Sequence, residues 1–130
     1  MSEEQEVKRV PKFPEDLVNE TMAVLSDTDI EHVKKGANEV TKAITRTQRE
    51  DENYPTVKLV IIAEDVSPPE ITYHLPNQAR EANIPFVVVP SQDKLGEAIN
   101  IRRTACVAIF DASGFEKVIE NASEIVGLNE

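Results

Sequence analysis

The sequence predicts an α/β protein: a three-layer α/β/α sandwich around a four-stranded mixed sheet. Two observations carry this expectation. Three short runs, Thr56 to Ala63, Phe86 to Val89 and Ala105 to Phe110, are rich in β-branched residues and nearly continuous in hydrophobicity, the pattern of strands covered on both faces. Amphipathic segments with helical spacing lie before, between and after them, and strands alternating with helices build a sheet layered by helices. At 130 residues, 40% of them hydrophobic, the chain fits one domain able to bury a core without disulfides or a structural metal.

Taken in order, residues 1–13 are charged and lack a period, so they read as a flexible N-terminal tail and leave 14–130 as a single domain. Pro14, Glu15 and Asp16 suit a first helical turn, and Leu17, Met22, Val24 and Leu25 supply an apolar face, so a first helix is expected over 14–26. Ile30-Glu31-His32-Val33 reads as a short edge strand. From Ala37, the positions Val40, Ala43, Ile44 and Thr47 follow helical spacing to an end near Arg49, after which Glu50 to Pro55 forms an exposed loop. Beyond the central strand, Ser67-Pro68-Pro69-Glu70 reads as a helix start, with Ile71, Leu75 and Ala79 on its apolar face and Pro76 expected to kink it. Ser91 is expected to cap a short helix over 92–99, and a last helix over 114–127 turns Val118, Ile119, Ala122, Ile125 and Val126 inward.

Composition narrows the function. The longest apolar run, Leu59 to Ala63, is far too short to span a bilayer, and the acidic start Ser2-Glu3-Glu4-Gln5-Glu6 is unlike a signal peptide, so no membrane association and an intracellular location are expected. Cys106 has no partner for a disulfide or a CxxC motif and reads as a small buried hydrophobe. The net charge of −10 argues against a polyanionic partner until its distribution is considered. Between His32 and Arg49 stand Lys34, Lys35, Lys42, Arg46 and Arg49 against Glu39 alone, a net of +4 that leaves −14 for the remainder.

Within that basic island, Gly36-Ala37-Asn38-Glu39-Val40-Thr41-Lys42 turns the chain into a helix whose first N–H groups and dipole favour anions. Asn38, Glu39 and Lys42 fall on neighbouring positions of one face. A carboxylate in such a place is repelled by phosphate unless it meets a donor such as guanine N1–H or N2–H₂, whereas Asn38 can donate and accept at a base edge and Lys42 can reach a carbonyl or phosphate. A structural reading competes, since Asn and Glu also serve at helix starts and lysines often line a solvated face. An enzyme reading rests on Glu64-Asp65 at the end of the central strand, a possible Mg²⁺ pair. No glycine-rich phosphate loop or nucleophile elbow supports it, and His32 and His74 lack ligand-spaced partners.

The same residues carry a resemblance to a known family. Gly36 to Lys42 is similar to the G-[TA]-N-E-x-T-K signature of the L-seven-Ae family of kink-turn-binding ribosomal proteins, and Ile62-Ala63-Glu64-Asp65-Val66 with Pro68-Pro69-Glu70-Ile71 resembles its I-A-E-D-V-x-P-x-E-I segment. His74-Leu75-Pro76, Ile84-Pro85-Phe86-Val87 and Leu95-Gly96-Glu97-Ala98 continue the resemblance in order. It implies a non-enzymatic protein, without cofactor or metal, that recognises the kink-turn, a sharply bent RNA element with tandem sheared G·A pairs and an extruded nucleotide. Carried over by position, Asn38, Glu39 and Lys42 contact the G·A pairs and Gly36 lets the RNA backbone approach; by their charge Lys35, Arg46 and Lys94 are expected to add basic contacts. Ile101-Arg102-Arg103-Thr104 corresponds to a second contact loop at the bulge, with Ile71 beside it. The implied partners are ribosomal RNA, box C/D and H/ACA guide RNA and the proteins of those particles, with ribonuclease P a further host; the implied location is cytoplasmic, or nuclear or nucleolar in a eukaryote. An interaction module of the same fold with weakened RNA binding is the alternative.

The chain departs from the family pattern in four places. Gln48 to Thr56 is longer than usual and acidic, Ser67 stands at a position that is often acidic in relatives, Ser91-Gln92-Asp93-Lys94 stands where a more basic run is usual, and the 101–104 loop carries two arginines.

Overall fold

The computed structural model describes residues 11–128, and residues 1–10 of the tail expected over 1–13 lie outside them. Five helices and four strands follow in the order α1 (Glu15–Ser26), β1 (Val33–Lys35), α2 (Ala37–Gln48), β2 (Leu59–Ala63), α3 (Leu75–Glu81), β3 (Phe86–Val89), α4 (Gln92–Ala98), β4 (Cys106–Ile109) and α5 (Glu116–Val126). The strands form one mixed sheet in the order β1-β4-β2-β3, with β2 parallel to β3 and β4 antiparallel to both β1 and β2.

The strand runs are apolar throughout because both faces of the sheet are covered, and alternate residues serve opposite cores. Leu59, Ile61 and Ala63 of β2, with Val107 and Ile109 of β4, pack against α1, α4 and α5 through Leu17, Leu25, Leu95, Phe115 and Val118. Val60 and Ile62, with Cys106 and Ala108, pack against α2 and α3 through Val40, Ala43, Ile44, Leu75 and Ala79. The expected three-layer sandwich is therefore observed. Phe13, one residue before the expected start of the domain, already packs against both cores and meets Phe86 edge-on at 6.0 Å between ring centres.

Local corrections have identifiable causes. The edge strand begins at Val33 instead of Ile30, because the Asp29 carboxylate accepts the Glu31 N–H at 3.0 Å and winds Ile30–His32 into a 3₁₀ turn. In α1 the innermost positions are Leu17, Thr21 and Leu25, a spacing of four; Thr21 is tolerated there because its hydroxyl donates to the Leu17 carbonyl at 2.7 Å. Ser67 does not cap a helix: the Ser67-Pro68 peptide is cis, Pro69–Ile71 makes a 3₁₀ turn, and α3 starts only at Leu75. Pro76 accordingly sits in the first turn of α3, where its missing N–H is no loss, and does not kink a longer helix. Ser91 caps α4 as expected, accepting the Lys94 N–H at 3.1 Å.

Candidate nucleic-acid interface

Strand direction gathers the candidate residues. Lys35 pairs with Val107, Ile62 with Cys106 and Ala63 with Val89, so β1, β2 and β3 end, and β4 begins, at one edge of the sheet. The start of α2, the segment after Ala63, the start of α4 and the loop before Cys106 all leave from that edge, where open α/β sheets commonly place ligands. Lys35, Gly36, Asn38, Glu39, Lys42, Ile71, Lys94 and residues 101–104 are thus brought to the same end, while Arg46 lies a further turn along α2.

Gly36 is the pivot. Its φ of +91° and ψ of 148° belong to a region that only glycine occupies readily. Its N–H donates to the Cys106 carbonyl at 3.0 Å and its carbonyl accepts the Val40 N–H at 2.9 Å, so the chain passes directly from β1 into α2. An added Cβ would meet nothing within 4 Å, so the need for glycine here is conformational and the space above it is open. No side chain caps α2, which leaves the donors of its first turn available.

On that helix Asn38, Glu39 and Lys42 are exposed, whereas Val40, Ala43 and Ile44 on the opposite side are buried. The three polar side chains make no hydrogen bond or ion pair to another described residue. The helix beneath them is held firmly. The Thr41 hydroxyl lies 2.8 Å from His74 Nε2, and the Gln78 amide donates to the Thr41 carbonyl and the Thr45 hydroxyl at 3.3 and 3.1 Å. His74 is therefore a support for α2, the structural role that its lack of ligand-spaced neighbours suggested.

The second loop is anchored from within. Thr104 donates its hydroxyl to the same Cys106 carbonyl that receives the Gly36 N–H, at 3.0 Å, so both segments hang from one acceptor. Thr104 is consequently buried and its side chain faces the protein, not the surface expected of a contact residue. The Ile101 N–H donates to the Gly96 carbonyl at 2.9 Å, the Thr104 N–H to the Gln92 carbonyl at 3.2 Å, and Ile101 packs on the core. Gly96 has a steric purpose that its motif alone did not disclose: a Cβ there would lie 2.4 Å from Arg103 Cα. Arg103 Nε sits 2.8 Å from an Asp93 carboxylate oxygen, while Arg102 and Lys94 are exposed.

Two further placements bear on the site. Arg46 is half-buried, its guanidinium 4.1 Å above the Tyr54 ring, so the acidic 48–56 segment covers the far end of the basic face. Ile71 is 41% exposed and the adjacent Tyr73 63% exposed, which puts an apolar rim on the loop that follows β2.

Glu64-Asp65, the basis of the enzyme reading, lies in the loop after β2. Asp65 uses its carboxylate to accept the Gln92 N–H at 2.9 Å, tying the loop after β2 to the start of α4. Among the described residues no cluster of His, Cys, Asp and Glu has the arrangement of a metal site. Burial pushes the Cys106 thiol up to about 12, as suits an inert core residue. No helix among the described residues is long and apolar enough to cross a membrane.

The three-layer sandwich thus presents an uncapped helix start and an anchored loop side by side at its strand ends. The chain belongs to the ribosomal protein L7Ae/L30e/S12e/Gadd45 family, whose model matches residues 18–119. It is 42% identical over 108 residues to large ribosomal subunit protein eL8 of Cenarchaeum symbiosum (strain A), covering 82% of this chain and 79% of that one. It is 43% identical over 109 residues to the eL8 protein of Nitrosopumilus maritimus (strain SCM1), with the same coverage of 82% and 79%. The solved structure of the Giardia lamblia 15.5kD RNA binding protein matches it with a TM-score of 0.69 and 31% identity over 91% of each chain.

Proposed function

We propose that this protein binds RNA as a component of the large ribosomal subunit, and that it does so by recognising kink-turns. Its ribosomal relatives and the RNA-binding protein of the same fold support the first part. The observation that carries the second is the exposed trio Asn38, Glu39 and Lys42, which satisfies no described partner in the protein although the helix bearing it is fixed.

In this reading Glu39 accepts guanine N1–H or N2–H₂ at a sheared G·A pair, Asn38 completes the base-edge contact, and Lys42 meets a carbonyl or phosphate. Glu39 then selects the RNA, because a carboxylate in a phosphate-rich groove is repelled wherever those donors are missing. Gly36 admits the RNA backbone into the open space above it, Lys35 and Lys94 supply attraction, and Ile71, Ile101, Arg102 and Arg103 face the bulge. No chemical step is involved. The protein binds the kinked form better than the extended one and shifts the population toward it, which gives neighbouring proteins a fixed RNA geometry. Box C/D and H/ACA guide RNAs carry such elements as well, so core membership of those particles, in the cytoplasm, belongs to the same proposal.

The test is RNA bending followed by fluorescence transfer between dyes on the two helical arms. Addition of the protein is expected to bring the arms together for an RNA with intact G·A pairs and to leave unchanged one in which those pairs are replaced. Equal behaviour of the two RNAs, or no retention of either at moderate salt, would favour instead an interaction module with a weakened RNA face, a reading that the net charge of −10 and the capture of Arg46 by Tyr54 make the natural second choice.

A further inference from the structure

Two of the departures from the family pattern, the acidic Asp93 and the paired arginines of the second loop, meet in space. Asp93 and Arg103 lie ten positions apart, and their side chains join with Nε 2.8 Å from the carboxylate although both are well exposed, at 56% for Arg103 and 63% for Asp93. Such an exposed pair adds little to the stability of a folded protein. Its geometry is nevertheless unusually fixed. The Arg103 backbone rests directly on α4 at Gly96, where even a methyl group would collide with it. Hydrogen bonds from Ile101 and Thr104 to the Gly96 and Gln92 carbonyls pin the loop on either side of the arginine. The backbone is held at one end and the guanidinium at the other, so a long side chain that normally loses much rotamer entropy on binding is ordered in advance.

Pairing also changes what the guanidinium can do. Free arginine is a phosphate clamp because its planar fork carries a full charge and five N–H donors. Here Nε–H is spent on Asp93, and the carboxylate beside it would repel a phosphate approaching along that edge. Four N–H donors remain on the two terminal nitrogens, but with the charge offset by the adjacent carboxylate the exposed flat face is left as a recognition element suited to stacking on an unpaired base. We infer that Asp93 is a positioning and specificity residue that turns Arg103 from a phosphate contact into a stacking platform for an unstacked RNA base at the second loop. Arg102, exposed and without an ion pair among the described residues, keeps the ordinary electrostatic role. The inference rests on the RNA-binding reading above.

The experiment uses the full chain and a kink-turn RNA with 2-aminopurine at the extruded position, read by base fluorescence and by affinity across a KCl series. In the wild type, binding is expected to change the 2-aminopurine signal through stacking. Arg103→Ala and Arg103→Lys should both lose that change and weaken binding roughly tenfold, because an ammonium cannot replace the planar face. Asp93→Asn should instead steepen the salt dependence by about one unit, as an unpaired arginine takes up a phosphate, and should reduce the fluorescence change. If Asp93→Asn altered neither the salt slope nor the fluorescence, or if Arg103→Lys behaved as wild type, Asp93 would have no such role. Glu39→Ala separates the two levels. Loss of binding in that variant together with indifference to Asp93→Asn would overturn this inference alone, whereas a wild-type protein that bound kinked and straight RNA equally would overturn both.

Discussion

The first turns of α2 and the loop before β4 leave the same edge of the sheet and share the Cys106 carbonyl as an anchor, yet the protein prepares them differently. On α2 the backbone is rigid and the side chains of Asn38, Glu39 and Lys42 are left without described partners. In the loop three of the four side chains are committed: Thr104 inward to Cys106, Ile101 to the core and Arg103 to Asp93, with Arg102 exposed. A rigid helix with free polar groups suits a hydrogen-bond match to base edges, for which unmade bonds exact a penalty and thereby discriminate. A loop whose Arg103 is ordered and paired suits shape and stacking, which tolerate sequence. Under the proposed function, base-edge readout falls to α2 and shape and stacking to the loop.

Substitutions at the glycine under each segment should separate these roles, and the larger effect is expected at Gly96. Gly96→Ala forces a methyl group to within 2.4 Å of the Arg103 backbone, which cannot give way as a side-chain tip would. A stability loss of roughly 1–3 kcal/mol in urea unfolding is expected, with the second loop displaced. Gly36→Ala meets no atom within 4 Å but must hold φ near +91°. Its cost, about 1–2 kcal/mol, is purely conformational, and RNA affinity should fall further than stability if, as proposed, the RNA backbone approaches there. Equal effects of Gly36→Ala on stability and on binding would remove the case for an approach at that point.

The smallest expected effect lies at the far end of α2. Tyr54→Ala removes the ring beneath Arg46, and melting experiments should register no more than about 0.5–1 kcal/mol. Freed, Arg46 should strengthen RNA binding at low salt and steepen its salt dependence slightly. An unchanged salt dependence would leave the acidic segment without influence on the interface.

Much of the architecture was legible because it rests on local pattern. Runs such as Leu59 to Ala63 are apolar at every position only if both faces are covered, and α2 shows its buried side as Val40, Ala43 and Ile44. The errors came where a side chain or a proline competes with regular structure: Asp29 converts the expected edge strand to a 3₁₀ turn, and Pro68, Pro69 and Pro76 divide an apparent helix into a turn and a shorter helix. The proposed contact segment on α2 is marked in the sequence by one incongruous residue, Glu39 among basic side chains. The second loop could not be read to the same depth. That Thr104 is buried, that Asp93 meets Arg103, and that Arg46 meets Tyr54 all depend on how loops fold back on helices, and sequence spacing carries no signal for such encounters. Gly96, a poor helix former inside α4, was the one available hint that another backbone comes close.

The most direct test of selection by Glu39 is a double-mutant cycle between the protein and the RNA, measured as affinity at fixed salt. Glu39→Ala is expected to weaken binding to an intact kink-turn by about 1–3 kcal/mol and to have almost no effect on an RNA whose G·A pairs have been replaced, giving a coupling close to the full loss. Equal losses on the two RNAs would show that Glu39 does not read the G·A pairs and would contradict the account.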